Sequence, residues 1–162
     1  MTRTLVAGIG NIFFGDDGFG VEVARRLAGT ALPEGTRVAD YGIRGVHLAY
    51  DLLETIDCLI VADCVPRGGE PGTLYLIEPD VDDLDALGSP RDLDDAHGMQ
   101  LPAVFASVRT LGGRLPPIRI VGCEPADTSP HIGLSPAIEG ALAGALEMIR
   151  DVIARPPPRE NP

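Results

Sequence analysis

The fold of this chain is decided near its N-terminus by the stretch Gly8-Ile9-Gly10-Asn11-Ile12-Phe13-Phe14-Gly15-Asp16-Asp17-Gly18-Phe19-Gly20. An apolar run of strand length, Thr4–Ile9, leads into it, and apolar residues at helical spacing follow over residues 18–28. The sequence therefore predicts a buried strand, a glycine-rich turn and a helix, with two adjacent carboxylates in the turn. The closely spaced glycines predict a backbone that turns tightly beneath these carboxylates.

The rest of the chain continues to alternate between strands and helices. The linker of residues 64–71 is shorter than the roughly twelve residues that a parallel crossover needs, so the strand after it is predicted to be antiparallel. Apolar patterning predicts further strands over residues 36–41, 58–63, 72–78 and 117–122, helices over residues 47–54, 98–111 and 136–154, and a candidate short helix over residues 81–87.

This alternation predicts an α/β fold, a three-layer α/β/α sandwich around a mixed five-stranded sheet with one antiparallel strand. The length of 162 residues is near the usual size of one domain, which we assign to residues 1–154. Residues 155–162 are rich in proline and poor in apolar side chains, and we expect them to form a disordered tail.

Composition excludes several classes of partner. The net charge of -11 disfavours nucleic acid and anionic membrane surfaces. No apolar stretch is long enough to span a bilayer, and the N-terminus has no signal-peptide pattern. The three cysteines lack Cys-x-x-Cys spacing, which favours reduced thiols. We therefore expect a cytoplasmic protein, and nothing in the sequence demands more than a monomer.

Candidate functional residues follow the predicted strands. Ligands of open α/β sheets bind outside the carboxyl ends of the strands. Asp17, Arg44, Asp63 and residues 124–131 lie at those positions. His97 opens the third long helix and reaches the same rim if the acidic loop before it brings it there.

The opening turn first resembles a nucleotide-binding loop, because Gly8-x-Gly10 follows a strand. Phe13 stands where the third glycine of that fingerprint belongs, and no Gly-Lys-Ser/Thr sequence follows. Asp16 and Asp17 would also repel a phosphate. A nucleotide site is therefore disfavoured.

A metal site built from Asp17, Asp63 and His97 fits the residue types better. Carboxylate oxygens and an imidazole nitrogen bind divalent cations, and fewer than four protein ligands leave positions open for another molecule. Each residue also has a simpler interpretation, as a helix cap, a strand-end carboxylate that binds loop amides, and a helix-start residue respectively. Two further residues leave alternatives open: His131 is a second imidazole or pins its loop, and Cys64 is a soft ligand or a buried thiol.

Several motifs together resemble those of a known family. Gly8-x-Gly10-Asn11-x-x-x-x-Asp16-Asp17-Gly18-x-Gly20, then Asp63, His97 and Pro130-His131-Ile132-Gly133-Leu134-Ser135-Pro136, occur in the order and spacing of the hydrogenase maturation proteases. The chain is similar to that family over everything except the tail. Members of the family are endopeptidases that trim the large subunit of nickel–iron hydrogenases.

The resemblance implies a phosphorylase/hydrolase-like sheet of five strands, and it implies that Asp17, Asp63 and His97 contact a metal. That metal is the nickel already inserted into the large-subunit precursor, rather than a cofactor that the protease keeps. The implied reaction is hydrolysis of one peptide bond near the precursor's C-terminus. One departure is Arg44, in a segment where the family often carries Asp-Gly-Gly-Thr; it could pair with Asp40, bind a substrate carboxylate, or be solvated.

Two mechanisms and two functions stay open at this point. Either Asp17 or Asp63 is the catalytic general base while nickel polarises the scissile carbonyl, or the three residues only recognise nickel and position the bond. The chain is then a nickel-dependent endopeptidase or, alternatively, a non-cleaving metal-binding chaperone or scaffold for hydrogenase assembly. Of the adjacent aspartates, Asp17 is predicted to face the rim, and Asp16 to cap the first helix with a contribution of about 1 kcal/mol.

Overall fold

The computed structural model describes residues 1–82 and 100–159. Within these ranges no helix is long and apolar enough to cross a membrane. A single 3-10 turn, Gly15–Gly18, precedes the first helix. The strands are β1 (Thr4–Ile9), β2 (Thr36–Gly42), β3 (Cys58–Cys64), β4 (Leu74–Ile77) and β5 (Ile118–Cys123), and the helices are α1 (Phe19–Ala28), α2 (Gly45–Asp51), α3 (Leu101–Thr110) and α4 (Pro136–Ala154).

The five strands form one sheet in the order β2-β1-β3-β5-β4. All neighbouring pairs are parallel except β4 and β5, which confirms the predicted antiparallel strand. Because β1 lies between β2 and β3, the connections after β1 and after β2 carry the chain to opposite sides of β1. The crevice where strand order reverses therefore lies at the carboxyl ends of β1 and β3.

Helices cover both faces of the sheet and give the predicted three layers. One buried cluster joins α1 and α4 to the face that carries Val6, Ile60 and Val121. The other joins α2 and α3 to the face that carries Leu5 and the alternate residues of the other strands. Alternation along each strand thus buries both faces, as the uninterrupted apolar strands predict.

Some element boundaries differ from the prediction. The buried face of α1 consists of Phe19, Val23 and Leu27 together with the small residues between them, whereas Val21 is only half-buried. The second helix begins at Gly45, two residues earlier than predicted, and it ends at Asp51, whose carboxylate accepts a 2.6 Å hydrogen bond from the Tyr41 hydroxyl. Most of the predicted short helix, and the predicted start of the third helix, lie outside the described residues.

The C-terminal segment passes the opposite end of the sheet. Arg159 Nη2 lies 2.9 Å from the Asp57 carboxylate at the start of β3. The Arg159 side chain is 68% exposed, so this ion pair contributes little to stability. That residues 155–162 are disordered stays a prediction.

The first turn of α1 lies directly against the ends of β1 and β3. A Cβ atom on Gly20 would lie 2.1 Å from the Ala62 carbonyl oxygen and 2.3 Å from the Ile9 carbonyl oxygen. Only glycine allows this approach, because both obstructing atoms belong to strand backbone. The helix is thereby held above the crevice, and with it the turn that carries the two aspartates.

We predict that Gly20→Ala lowers the free energy of unfolding by about 2–3 kcal/mol, because the added methyl group must displace strand backbone. Urea unfolding of the purified proteins measures the change. The matched control is Gly140→Ala on α4, where a Cβ meets no atom within 4 Å. This control should be stabilised by up to about 1 kcal/mol through helix propensity. Equal unfolding curves for Gly20→Ala and wild type would contradict the packing described here.

Candidate functional site

Two carboxylates lie at the crevice between β1 and β3. Asp17 belongs to the 3-10 turn after β1, and this turn packs against β3. Asp63 is the next-to-last residue of β3. Both are partly buried. Burial raises the pKa of the neighbouring Cys64 thiol, and the charges of Asp63 and Asp17 raise it further. The structure therefore places the two aspartates that the sequence singled out at the same edge of the sheet, after β1 and near the end of neighbouring β3.

Hydrogen bonds within the loop after β1 orient Asp17. Its Oδ2 accepts the N–H of Asn11 at 2.8 Å, while Asn11 Oδ1 accepts the N–H of Phe13 at 3.0 Å. The loop folds back over β1 at Gly10, which has a φ of 142°. A Cβ at Gly10 would lie 1.9 Å from the Asp17 carbonyl oxygen, so the return of the chain depends on glycine there. The carboxylate is thus held by short-range contacts of its own loop.

The third predicted ligand, His97, lies outside the described residues. In residues 1–82 and 100–159, no three His, Cys, Asp or Glu side chains are placed to hold a metal ion. Asp17 and Asp63 are two oxygen donors of the kind that the predicted site needs. The site formed with His97 stays a prediction.

Asp16 has a different role from the one predicted. It is 1% exposed and does not cap α1, because neither the 3-10 turn nor α1 has a side-chain cap. Instead its carboxylate accepts four hydrogen bonds from the loop after β5, at distances of 2.7–2.9 Å: from the N–H groups of Ala126, Asp127 and Ser135 and from the Ser135 hydroxyl. Asp16 therefore joins the loops that follow β1 and β5.

These contacts set the charge state of Asp16. Burial alone would raise the pKa of its carboxyl group, but the hydrogen bonds from Ser135, Asp127 and Ala126 outweigh burial and hold the pKa below its usual value. Ser135 is also the residue that precedes α4, so the negative charge lies at the positive end of that helix dipole. Asp16 is thus a buried anion stabilised by backbone amides.

The loop that contains His131 is pinned to the first loop through its backbone. The N–H of His131 donates to the Phe13 carbonyl at 2.9 Å, and the His131 carbonyl accepts the N–H of Gly15 at 2.8 Å. The imidazole Nδ1 lies 2.8 Å from the Ser129 carbonyl oxygen in its own loop. The geometry supports the interpretation of His131 as a residue that pins its loop.

Glu124 is a buried carboxylate whose role the sequence analysis missed. It is 4% exposed and accepts hydrogen bonds from the N–H groups of Arg67 and Gly69 and from the Tyr75 hydroxyl. Burial opposes its ionisation, but these donors lower the pKa of Glu124. Glu124 thereby fixes the linker between β3 and β4. The available signal in the sequence was a carboxylate directly after a strand. It was combined with a glycine-rich linker whose own side chains offer few acceptors for its N–H groups.

The structure gives Arg44 a role outside its stated alternatives and favours the buried thiol for Cys64. The Arg44 guanidinium donates to the carbonyl groups of Asp40 and Tyr41, so it closes the turn after β2 and does not pair with the Asp40 carboxylate. Burial, followed by the charges of Asp63 and Asp17, raises the pKa of Cys64 and favours its neutral thiol.

Replacing Asp16 should lower the free energy of unfolding by far more than the loss of a helix cap would. Asp16→Ala removes a buried anion and leaves three N–H groups and one hydroxyl without their acceptor, and we predict a loss of about 3 kcal/mol in the free energy of unfolding. Urea unfolding at neutral pH measures it. Asp127→Ala is the control, since that exposed carboxylate bonds only within its own loop. A loss as small as that of the control would contradict the tie between the two loops.

Asp16 should also make stability depend on pH. Because its folded pKa lies below the unfolded value of about 3.9, its contribution is complete above that value and is lost as pH falls through the folded pKa. Between pH 5 and pH 3, Asp16→Asn should therefore lose stability less steeply than wild type, by up to about 1.4 kcal/mol per pH unit. Urea unfolding at several pH values measures the two slopes. Parallel slopes would show that Asp16 does not carry this dependence.

Comparison with known proteins identifies the family. The family model described as "HycI: Hydrogenase maturation protease" matches residues 21–152. The hydrogenase 2 maturation protease of Escherichia coli is 32% identical over 149 residues, which cover 91% of this chain and 88% of that protein. The hydrogenase expression/formation protein HupD of Rhodobacter capsulatus is 35% identical over 155 residues, covering 94% of this chain and 72% of that protein.

A solved structure agrees with the sequence match. The hydrogenase maturating endopeptidase HybD of Escherichia coli has a TM-score of 0.79 to this chain at 29% identity, with 94% of this chain and 93% of that chain covered. The agreement includes the mixed five-stranded sheet. The chain therefore belongs to the hydrogenase maturation protease family, whose members hydrolyse peptide bonds.

Proposed function

We propose that this chain is the endopeptidase that removes the C-terminal extension from the large-subunit precursor of a nickel–iron hydrogenase after nickel insertion. Family membership supplies the reaction class. The observation that supports the proposal is the placement of Asp17 in the turn after β1 and of Asp63 near the end of neighbouring β3, both at the crevice. That crevice is where open α/β sheets bind their ligands.

Nickel enters this proposal as part of the substrate. The carboxylates of Asp17 and Asp63, together with the imidazole of His97, are oxygen and nitrogen ligands suited to a divalent metal. Three protein ligands leave positions that the precursor itself must fill. The protease would then bind only a precursor that already contains its metal. Because three protein ligands do not complete the coordination of the metal, nickel insertion would have to precede cleavage.

Two roles for the aspartates are consistent with the geometry. As a general base, Asp17 or Asp63 would take a proton from the attacking water, an effect worth about 10²–10⁴-fold in rate. As nickel ligands alone, they would hold the scissile bond in place, so that positioning supplies the rate. The Asn11 N–H fixes the direction of the Asp17 carboxylate, which serves either role. The cytoplasmic location and the monomeric state stay predictions.

We predict that the purified protein shortens a nickel-loaded precursor and leaves it intact after a chelator has removed the nickel. Asp17→Asn and Asp63→Asn should each abolish cleavage, because the amide is a weaker base and a weaker metal ligand. Electrophoresis and mass spectrometry of the precursor measure the cleavage. The control is Asp40→Asn, which removes an exposed carboxylate from the end of neighbouring β2 and should leave processing unchanged.

Binding measured alongside cleavage separates the two roles. Loss of binding to the nickel-loaded precursor together with cleavage supports nickel recognition, whereas intact binding without cleavage supports a general base. If the wild-type protein binds a nickel-loaded precursor and never shortens it, the endopeptidase proposal fails, and a non-cleaving scaffold takes its place.

A further inference from the structure

Three exposed apolar side chains lie beside the candidate site and have no part in the proposed chemistry. Ile12, Phe13 and Ile132 are 45%, 60% and 72% exposed, and we call them the apolar rim. They come from the loops after β1 and β5, which meet where the His131 N–H donates to the Phe13 carbonyl. Single exposed apolar residues are common, but a group of them marks an interaction surface.

The backbone beneath the apolar rim is fixed, so these side chains do not fold back into the core. Phe13 donates its N–H to Asn11 Oδ1 and accepts from His131 through its carbonyl. The Asp16 carboxylate holds the loop that precedes Ile132. Exposure of Phe13 is therefore built into the fold. Burial of such a side chain in an interface is favourable, and the isolated chain does not gain that free energy.

The apolar rim borders Asp17 directly. Asp17 Oδ2 accepts the N–H of Asn11, the residue before Ile12. On the other side, a Cβ atom on Gly18, the residue after Asp17, would lie 3.3 Å from Ile12 Cα. The apolar rim therefore lies next to Asp17, within reach of a polypeptide bound at that carboxylate.

The charge of the two loops indicates which kind of polypeptide binds at the apolar rim. The two loops, residues 11–18 and 124–135, contain four carboxylates and no Lys or Arg. Asp16 and Glu124 are buried and bound to N–H groups, whereas Asp17 is half-buried and Asp127 is exposed. The whole chain carries a net charge of -11. A segment with apolar side chains flanked by Lys or Arg is complementary to this surface, and an acidic segment is repelled.

We infer that the apolar rim docks an apolar segment flanked by basic residues in the hydrogenase precursor, next to the bond that is cleaved. This inference rests on the proposed function, because it takes the precursor as the occupant. Docking holds the segment on the same rigid loop that carries Asp17, so it brings the scissile bond to the carboxylates without any movement of the protein. The contact is made by side chains that bind no metal, and it does not require nickel.

The test measures binding of the nickel-free precursor to the wild-type protein and to Phe13→Ser, Ile132→Ser and the double variant. We expect the double variant to bind at least about tenfold more weakly, as for a central aromatic contact of an interface. With the nickel-loaded precursor its KM should rise by a similar factor, while kcat stays within about twofold. Unfolding temperatures should match wild type, since both side chains are exposed.

The control is Leu111→Ser, which removes an equally exposed apolar residue at the end of α3, far from the site. It should bind as wild type does. Equal binding by wild type and the double variant, or no binding by wild type, overturns the inference. So does a protein that dimerises through Phe13 and Ile132 while its precursor binding is unaffected. If the double variant loses binding but wild type never cleaves the nickel-loaded precursor, docking stands and the endopeptidase proposal fails.

Discussion

The buried Asp16 carboxylate organises the rim of this protein. It belongs to the loop after β1, yet its acceptor oxygens bind the N–H groups of Ala126, Asp127 and Ser135 in the loop after β5. Strand β3 lies between β1 and β5 in the sheet, so this tie reaches past the end of the strand that carries Asp63. Both loops and the start of α4 thereby share a single anchor.

Asp16 and Asp17 have different roles because the turn in which they lie points their side chains in different directions. A 3-10 turn has about three residues per turn, so neighbouring side chains point in directions roughly 120° apart. When Asp16 is directed into the protein, Asp17 must point elsewhere. The dense amide contacts of Asp16 stabilise its charge inside the fold, while Asp17 binds the amide of Asn11 at the rim.

The sequence was sufficient for features that depend on local pattern. Strand β1 and helix α4 have the predicted limits, because an apolar run and a helical period define them without outside help. The antiparallel β4 followed from linker length. The roles of Asp16 and Glu124 were not predictable in this way. Their partners lie 110–119 and 49–57 residues away in the chain, and most are backbone N–H groups, which every residue type except proline offers. Such contacts therefore produce no characteristic spacing of residue types in the sequence.

The same long-range ties explain how a rim made of loops can hold a substrate in a defined position. Loops usually lose binding energy to the entropy of becoming ordered. Here the backbone of the first loop is already hydrogen-bonded to His131, to Asp127 and to its own Asn11. The loop therefore loses its conformational entropy during folding and not on binding. The loop thereby holds Asp17 in place at the edge of the sheet where Asp63 ends β3, and a cation bound there in the proposed reaction would favour the ionised form of both carboxylates. In the proposed reaction, folding supplies the fixed geometry and the precursor supplies the cation, so that neither the protein nor the precursor alone would complete the site.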